Sequence, residues 1–172
     1  MTSVAEAIRA ALLTGEARAK VKAARALFRA WRKGELEWDF AVAMPDCPAW
    51  PKGLDLLPAN RMPKRGTGSL RNATALWHSL AHIEFVAIDL ALDIVGRFGG
   101  GMGREFAADF LAIAADEAMH FALIDRKLRT LGSHYGALPA HAGLWEAAHD
   151  TRHDIAARLA VVPMVLEAAR AL

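Results

Sequence analysis

The chain has 172 residues, 54% hydrophobic and 23% charged, with a formal net charge of +2; that suffices for the core of one domain, and so even a charge mixture does not mark a nucleic-acid-binding protein. Every apolar run is interrupted before the roughly 20 residues that a bilayer-crossing helix needs, and Glu6, Arg9 and Glu16 stand where a signal peptide keeps its apolar stretch, so a cytoplasmic protein with no membrane contact is expected. The single cysteine, Cys47, excludes an internal disulfide and a cysteine-based metal knuckle, which leaves oxygen and nitrogen as ligands for any metal.

Ala, Leu, Glu, Arg and Lys dominate and no stretch alternates as a strand does, so the sequence predicts an all-α fold in one domain. The first helical segment covers residues 4–33, with a break near Thr14 and Gly15. Residues 45–68 hold Pro45, Pro48, Pro51, Pro58 and Pro63, too many for a helix, and read as an extended arm over the helices. Its local basic run of Lys52, Arg61, Lys64 and Arg65, with Arg71 beyond, reads as a solvated loop. The bundle core occupies residues 69–172: Ser69 caps a second helix that ends at Phe98 before Gly99, Gly100 and Gly101. A third helix runs from Arg104 to Leu131, and the short turn between the two predicts an antiparallel pair. After a glycine-rich loop with His134, Tyr135 and His141, a fourth helix starts near Leu144 or Trp145 and reaches the C-terminus, kinked at Pro163.

Helical spacing puts Glu117 and His120 among Phe110, Ile113, Ala114, Phe121, Ile124 and Leu128, and so points both into the core. Glu84 falls among Trp77, Leu80, Ala81, Ala87, Ile88, Ala91 and Val95, and Glu167 among Leu159, Ala160, Pro163 and Met164. Three helices thus each offer a carboxylate to one interior. An ionised carboxylate loses several kcal/mol of solvation in such a place unless something compensates. One compensation is a cation: oxygen donors with an imidazole suit iron, manganese or zinc, and a Glu-x-x-His pair puts two donors on one helical face, the arrangement of di-iron helix bundles. The other is an arginine, for which Arg126, Arg152, Arg158 and Arg170 are available. His78 and His82, four residues apart, lie on a different face from Glu84, near Asp89 and Asp93, and read as a polar flank. Asp116 points away from Glu117, and the five tryptophans read as core or arm anchors.

The runs "LWHSLAHIEFVAIDLALDIVGRF", "FLAIAADEAMHFALIDRKLRTLGSHYGALPAHAGLWEAAHDT" and "RLAVVPMVLEA" resemble a bacterial ferritin-like family of unknown function, related in fold to the tRNA-modifying di-iron hydroxylase that acts on isopentenyl-adenosine derivatives. The resemblance implies a ferritin-like helical bundle with a carboxylate metal centre and maps its ligands onto Glu84, Glu117, His120 and Glu167, with iron as the expected metal and manganese or zinc as alternatives. It supplies no substrate beyond a small molecule or modified nucleoside. Members of the family continue through a further helix bearing a second Glu-x-x-His, whereas this sequence stops at Leu172, so an incomplete bundle lacking its final metal-binding helix is expected. Two functions follow: an iron-dependent oxidase or hydroxylase, or a non-catalytic helical protein with at most one structural or stored ion. The uncovered apolar stripes would be closed by a second copy in a homodimer, or by the N-terminal helix, whose Ala7, Leu12, Ala23, Ala26 and Leu27 are apolar at helical spacing.

Overall fold

The computed structural model describes residues 1–63, 66 and 68–170, and the side chains of these apart from 59 and 163–170. The described residues form six α-helices and one 3-10 turn, with no strand among them. They are α1 (Val4–Leu12), α2 (Ala17–Arg32), α3 (Leu70–Met102), α4 (Arg104–Thr130), α5 (Gly143–Asp150) and α6 (Ile155–Arg170).

The N-terminal break falls where the sequence places it. A capping box starts α1: the Glu6 amide donates to Ser3 Oγ at 3.1 Å and the Ser3 amide to the Glu6 carboxylate at 2.8 Å. Glu16 restarts the chain as α2 by accepting from the Arg18 and Ala19 amides at 3.0 and 2.6 Å. Ser69 caps α3, as its position predicts, by accepting from the Asn72 amide at 3.2 Å.

Helix α3 does not stop at its three glycines but runs on to Met102, and the reversal comes at Gly103, whose φ of 94° is open to glycine. The physical reason is that these glycines form a groove instead of an end. A Cβ at Gly99 would lie 3.0 Å from the Phe40 ring, one at Gly100 3.2 Å from it, and one at Gly96 would overlap the Met44 side chain. The segment between α2 and the arm therefore seats Phe40 and Met44 against bare helix backbone, and the packing offsets the cost of glycine inside a helix, about 1 kcal/mol per residue.

The pairs Glu84 with His120, Phe85 with Phe121 and Trp77 with Lys127 show that α3 and α4 lie antiparallel. Helix α2 packs along α4 and α1 against α3. The expected single fourth helix is two. At their junction Asp154 caps α6, accepting from the Ala156 and Ala157 amides at 2.8 and 3.1 Å, and the Thr151 hydroxyl donates back to the Ala147 carbonyl at 2.8 Å. Helix α6 is continuous through Pro163.

With α1, α2 and α4 on one flank and α5 and α6 on another, α3 is the central helix, buried at every position from Ala81 to Gly96. That stretch nevertheless contains Asp89 and Asp93, both fully buried. Each is met by a cation from another element. Lys20 of α2 sits 2.7 Å from both Asp89 oxygens and also donates to the Ala49 carbonyl of the arm at 3.0 Å. Arg158 of α6 donates to Asp93 at 2.8 Å, to the Ala148 carbonyl of α5 and to Thr151. Arg97 reaches the other Asp93 oxygen at 2.8 Å and the Pro45 carbonyl at 2.7 Å. Burial pushes Asp89 up to about 7 and Lys20 down, and the opposite charge of each holds the other back.

His78 and His82 continue this polar row toward the start of α3. The His82 Nε2–H donates to the His141 carbonyl, so its Nδ1 accepts from the Tyr135 hydroxyl, both at 2.9 Å. Conversely, His78 Nε2 accepts from the Gly136 amide at 2.9 Å and therefore carries no proton. Both rings are neutral, and burial lowers each to about 4. The two imidazoles fasten the loop after α4 onto α3, and the same loop is tied to the arm by the Leu57 amide on the Ala140 carbonyl at 2.8 Å.

Two outcomes follow. Lys20→Met, which leaves Asp89 buried and alone, should lower the free energy of urea unfolding by about 3–5 kcal/mol, and adding Asp89→Leu should recover most of that loss. His78 carries a pKa lowered to about 4 from an unfolded value of 6.5. The unfolded chain then binds the extra proton first, so stability present above pH 6.5 is lost as pH falls toward 4, at up to about 1.4 kcal/mol per pH unit. Denaturant midpoints between pH 7 and 4 should show this slope, and His78→Leu should make it shallower.

Candidate metal centre

Glu84 projects from the side of α3 opposite the Asp93 row and is only 9% exposed. Across from it on α4 stand Glu117 and His120, one turn apart. Ligand atoms of the three residues all lie within 4.8 Å of one another. His120 Nδ1 is 3.0 Å from Glu117 Oε2 and 3.5 Å from Glu84 Oε2, so the imidazole stands between two carboxylates. Its hydrogen bond to Glu117 and the two nearby negative charges hold its pKa above the ordinary imidazole value. The protonated ring is a cation where the three donors converge.

The sequence brings these three residues together correctly but misjudges how deeply α4 buries its pair. The buried stripe of α4 is Ala107, Leu111, Ala114, Ala118, Phe121, Asp125 and Leu128, the row that faces α2 and α3. Glu117 and His120 lie beside that row. The His120 side chain is 55% exposed, that of Glu117 15%, and Ile113, expected inside, is 42% exposed. The centre therefore sits at an open edge of the α3–α4 pair rather than in a closed interior. Met119 and Leu123 are also exposed on α4.

Glu167 falls in the part of α6 whose side chains lie outside the described residues. Arginine does serve a buried acid here, but it is Arg158 on Asp93 and not on Glu84. Arg152 instead donates to the His149 carbonyl at 2.8 Å, and Asp116 is exposed. The buried acids Asp89 and Asp93 are the residues that sequence reasoning left without a role. Their signal was present, since His78, His82, Asp89 and Asp93 are spaced four, seven and four apart and so share one helical face.

As a donor set the cluster fits a metal. Two carboxylates and one imidazole are the oxygen and nitrogen ligands that iron, manganese and zinc accept, and a few ångströms between donor atoms is the span around one ion. Among the described residues no other group of three His, Cys, Asp or Glu side chains converges in this way.

A family model described as "Protein of unknown function (DUF455)" matches residues 13–172. The chain is 44% identical over 138 residues to an uncharacterized protein of Haemophilus influenzae, an overlap of 76% of this chain and 48% of the relative. The chain thus spans about half the length of the relative it matches. No solved structure matches it.

Proposed function

The chain belongs to the DUF455 family of proteins of unknown function, and we propose that its Glu84, Glu117 and His120 hold a metal ion, iron ahead of manganese or zinc, in a ferritin-like bundle that performs a metal-dependent oxidation or hydroxylation. The observation that carries this reading is the convergence of three metal-ligating side chains from two antiparallel helices at an open edge. The three donors among the described residues leave coordination positions for further ligands, as catalytic metal sites do. When bound, iron supplies Lewis acidity and electron transfer to dioxygen.

The protein's own part is to hold the donors in place. Helix α3 is fixed on every side and so fixes Glu84, whereas the one-turn spacing of α4 presents Glu117 and His120 together. His120 must give up its proton to become a ligand, so metal uptake releases a proton and weakens as pH falls. Exposure of His120 leaves the site open to a small molecule. A non-catalytic protein that holds one ion is the second reading, supported by the donor set among the described residues, which is smaller than the one a two-metal carboxylate centre uses.

Metal analysis of protein purified without chelators should find about one ion per chain, and Glu117→Ala and His120→Ala should each lose it. Ion at 100 times its Kd adds about 2.7 kcal/mol to stability, so chelator should lower the melting temperature of the wild type and leave the variants unmoved. Unchanged metal content in Glu117→Ala would count against the site. An oxygen-dependent optical change on adding ferrous iron separates the oxidative reading from simple storage, which predicts none.

A further inference from the structure

A recess with no residue in common with the Glu84 cluster lies elsewhere on the chain. It is an open depression of about 610 Å³ between the start of α2, the arm near Trp50, the end of α4 and the loop after it, a volume within the ordinary range for small-molecule sites. Arg18, Lys52, Arg129 and His134 line it, with Trp50 and Tyr135.

Two acids, Glu16 and Asp125, also belong to its wall, but both are already engaged. Glu16 is spent on the Arg18 and Ala19 amides at the start of α2. Asp125 accepts from Arg129 Nε at 3.0 Å and from the Tyr135 amide at 3.3 Å. Arg18 and Lys52 are exposed and have no acidic partner among the described residues. The Arg129 guanidinium, held through Nε, keeps its two terminal nitrogens for another acceptor. Three cationic side chains against the two carboxylates leave the lining with one positive charge in excess.

Its aromatic wall is fixed in place. Trp50 stacks on the His82 ring at 5.9 Å and 30°, and Tyr135 is only 7% exposed with its hydroxyl on His82. Behind them the buried Lys20 holds the Ala49 carbonyl, and so fixes the arm beside α2. The turn before α2 presses so closely on the arm that a Cβ at Gly15 would come within 2.7 Å of the Trp50 carbonyl oxygen. These contacts set Arg18, Trp50 and Lys52 in register before any ligand arrives, which lowers the ordering cost of binding.

We propose that this recess binds a small aromatic anion, its planar ring against the partly exposed Trp50 and its phosphate or carboxylate group at Arg18, Lys52 and Arg129. Arginine matches either oxyanion with paired hydrogen bonds, and an aromatic face accepts a planar ring. The assignment does not depend on a metal at Glu84.

Isothermal titration of the full chain with AMP, benzoate and adenosine at physiological salt tests it. AMP or benzoate should bind saturably at one site, and adenosine, which has the ring without the charge, at least about tenfold more weakly. Binding of AMP alone identifies phosphate as the recognised group, and of benzoate alone carboxylate. The Arg18→Gln/Lys52→Gln double variant, whose two sites are exposed, should fold as the wild type by circular dichroism and lose at least about tenfold in anion affinity. Trp50→Leu should weaken the anions further. Absence of anion binding up to millimolar concentration, adenosine binding as well as AMP, or an unchanged affinity in the double variant would each overturn the assignment.

Discussion

The structure depends on keeping four polar side chains of α3 out of water. Asp89 and Asp93 are carboxylates in a fully buried stretch, and an acid in that position needs a partner of opposite charge and good geometry. Those partners come from elsewhere in the chain. Lys20 brings α2 and the arm at Ala49, Arg158 brings α6 and the end of α5, and Arg97 holds the arm at Pro45. His78 and His82 do the same for the loop after α4, without net charge. Apolar packing would bring these elements to α3 in many registers, whereas the ion pairs and hydrogen bonds select one.

That arrangement explains why Glu84 differs from its neighbours on the same helix. Flanking elements meet α3 with cations at Asp89 and Asp93, but α4 meets Glu84 with a second carboxylate and an imidazole. A like charge makes a poor structural partner, and its presence is costly unless a cation is shared. The hydrogen bond to Glu117 and the two neighbouring carboxylates raise the pKa of His120, which favours its cationic form there. A metal ion would take the same place with stronger ligation, so the protonated and metal-bound forms compete for one set of donors.

Much of this was legible in the chain, and the failures have physical causes. The 3.6-residue period separates Glu84 from His78, His82, Asp89 and Asp93, and the Ser69 cap and the Thr14–Gly15 break follow from local chemistry alone. The burial of His120 was misjudged because periodicity gives the face of a helix but not which neighbour covers it, and in α4 the covered face lies one row away. Gly99 to Gly101 misled for a similar reason, since three glycines weaken a helix in isolation and only Phe40, some 60 residues earlier, shows what they make room for. The split of the last helix depended on Asp154, a capping residue whose preference competes with an otherwise helical pattern. Lys20 and Arg158 could not be matched to their acids without the fold, because the pairs are 69 and 65 residues apart.

The two candidate sites have no residue in common but both draw on α4. Phe85 follows Glu84, Phe121 follows His120, and the two rings meet at 5.3 Å. Tyr135, which lines the cationic recess, lies 5.1 Å from each. Three rings in mutual contact thus form the layer between a carboxylate cluster on one side and a basic recess on the other. A close-packed interior transmits small displacements instead of absorbing them, and the backbone that positions Phe85 and Phe121 also positions Glu84 and His120. The ring contacts of Phe85 and Phe121 thus fix the two helices at the level where Glu84 and His120 face each other.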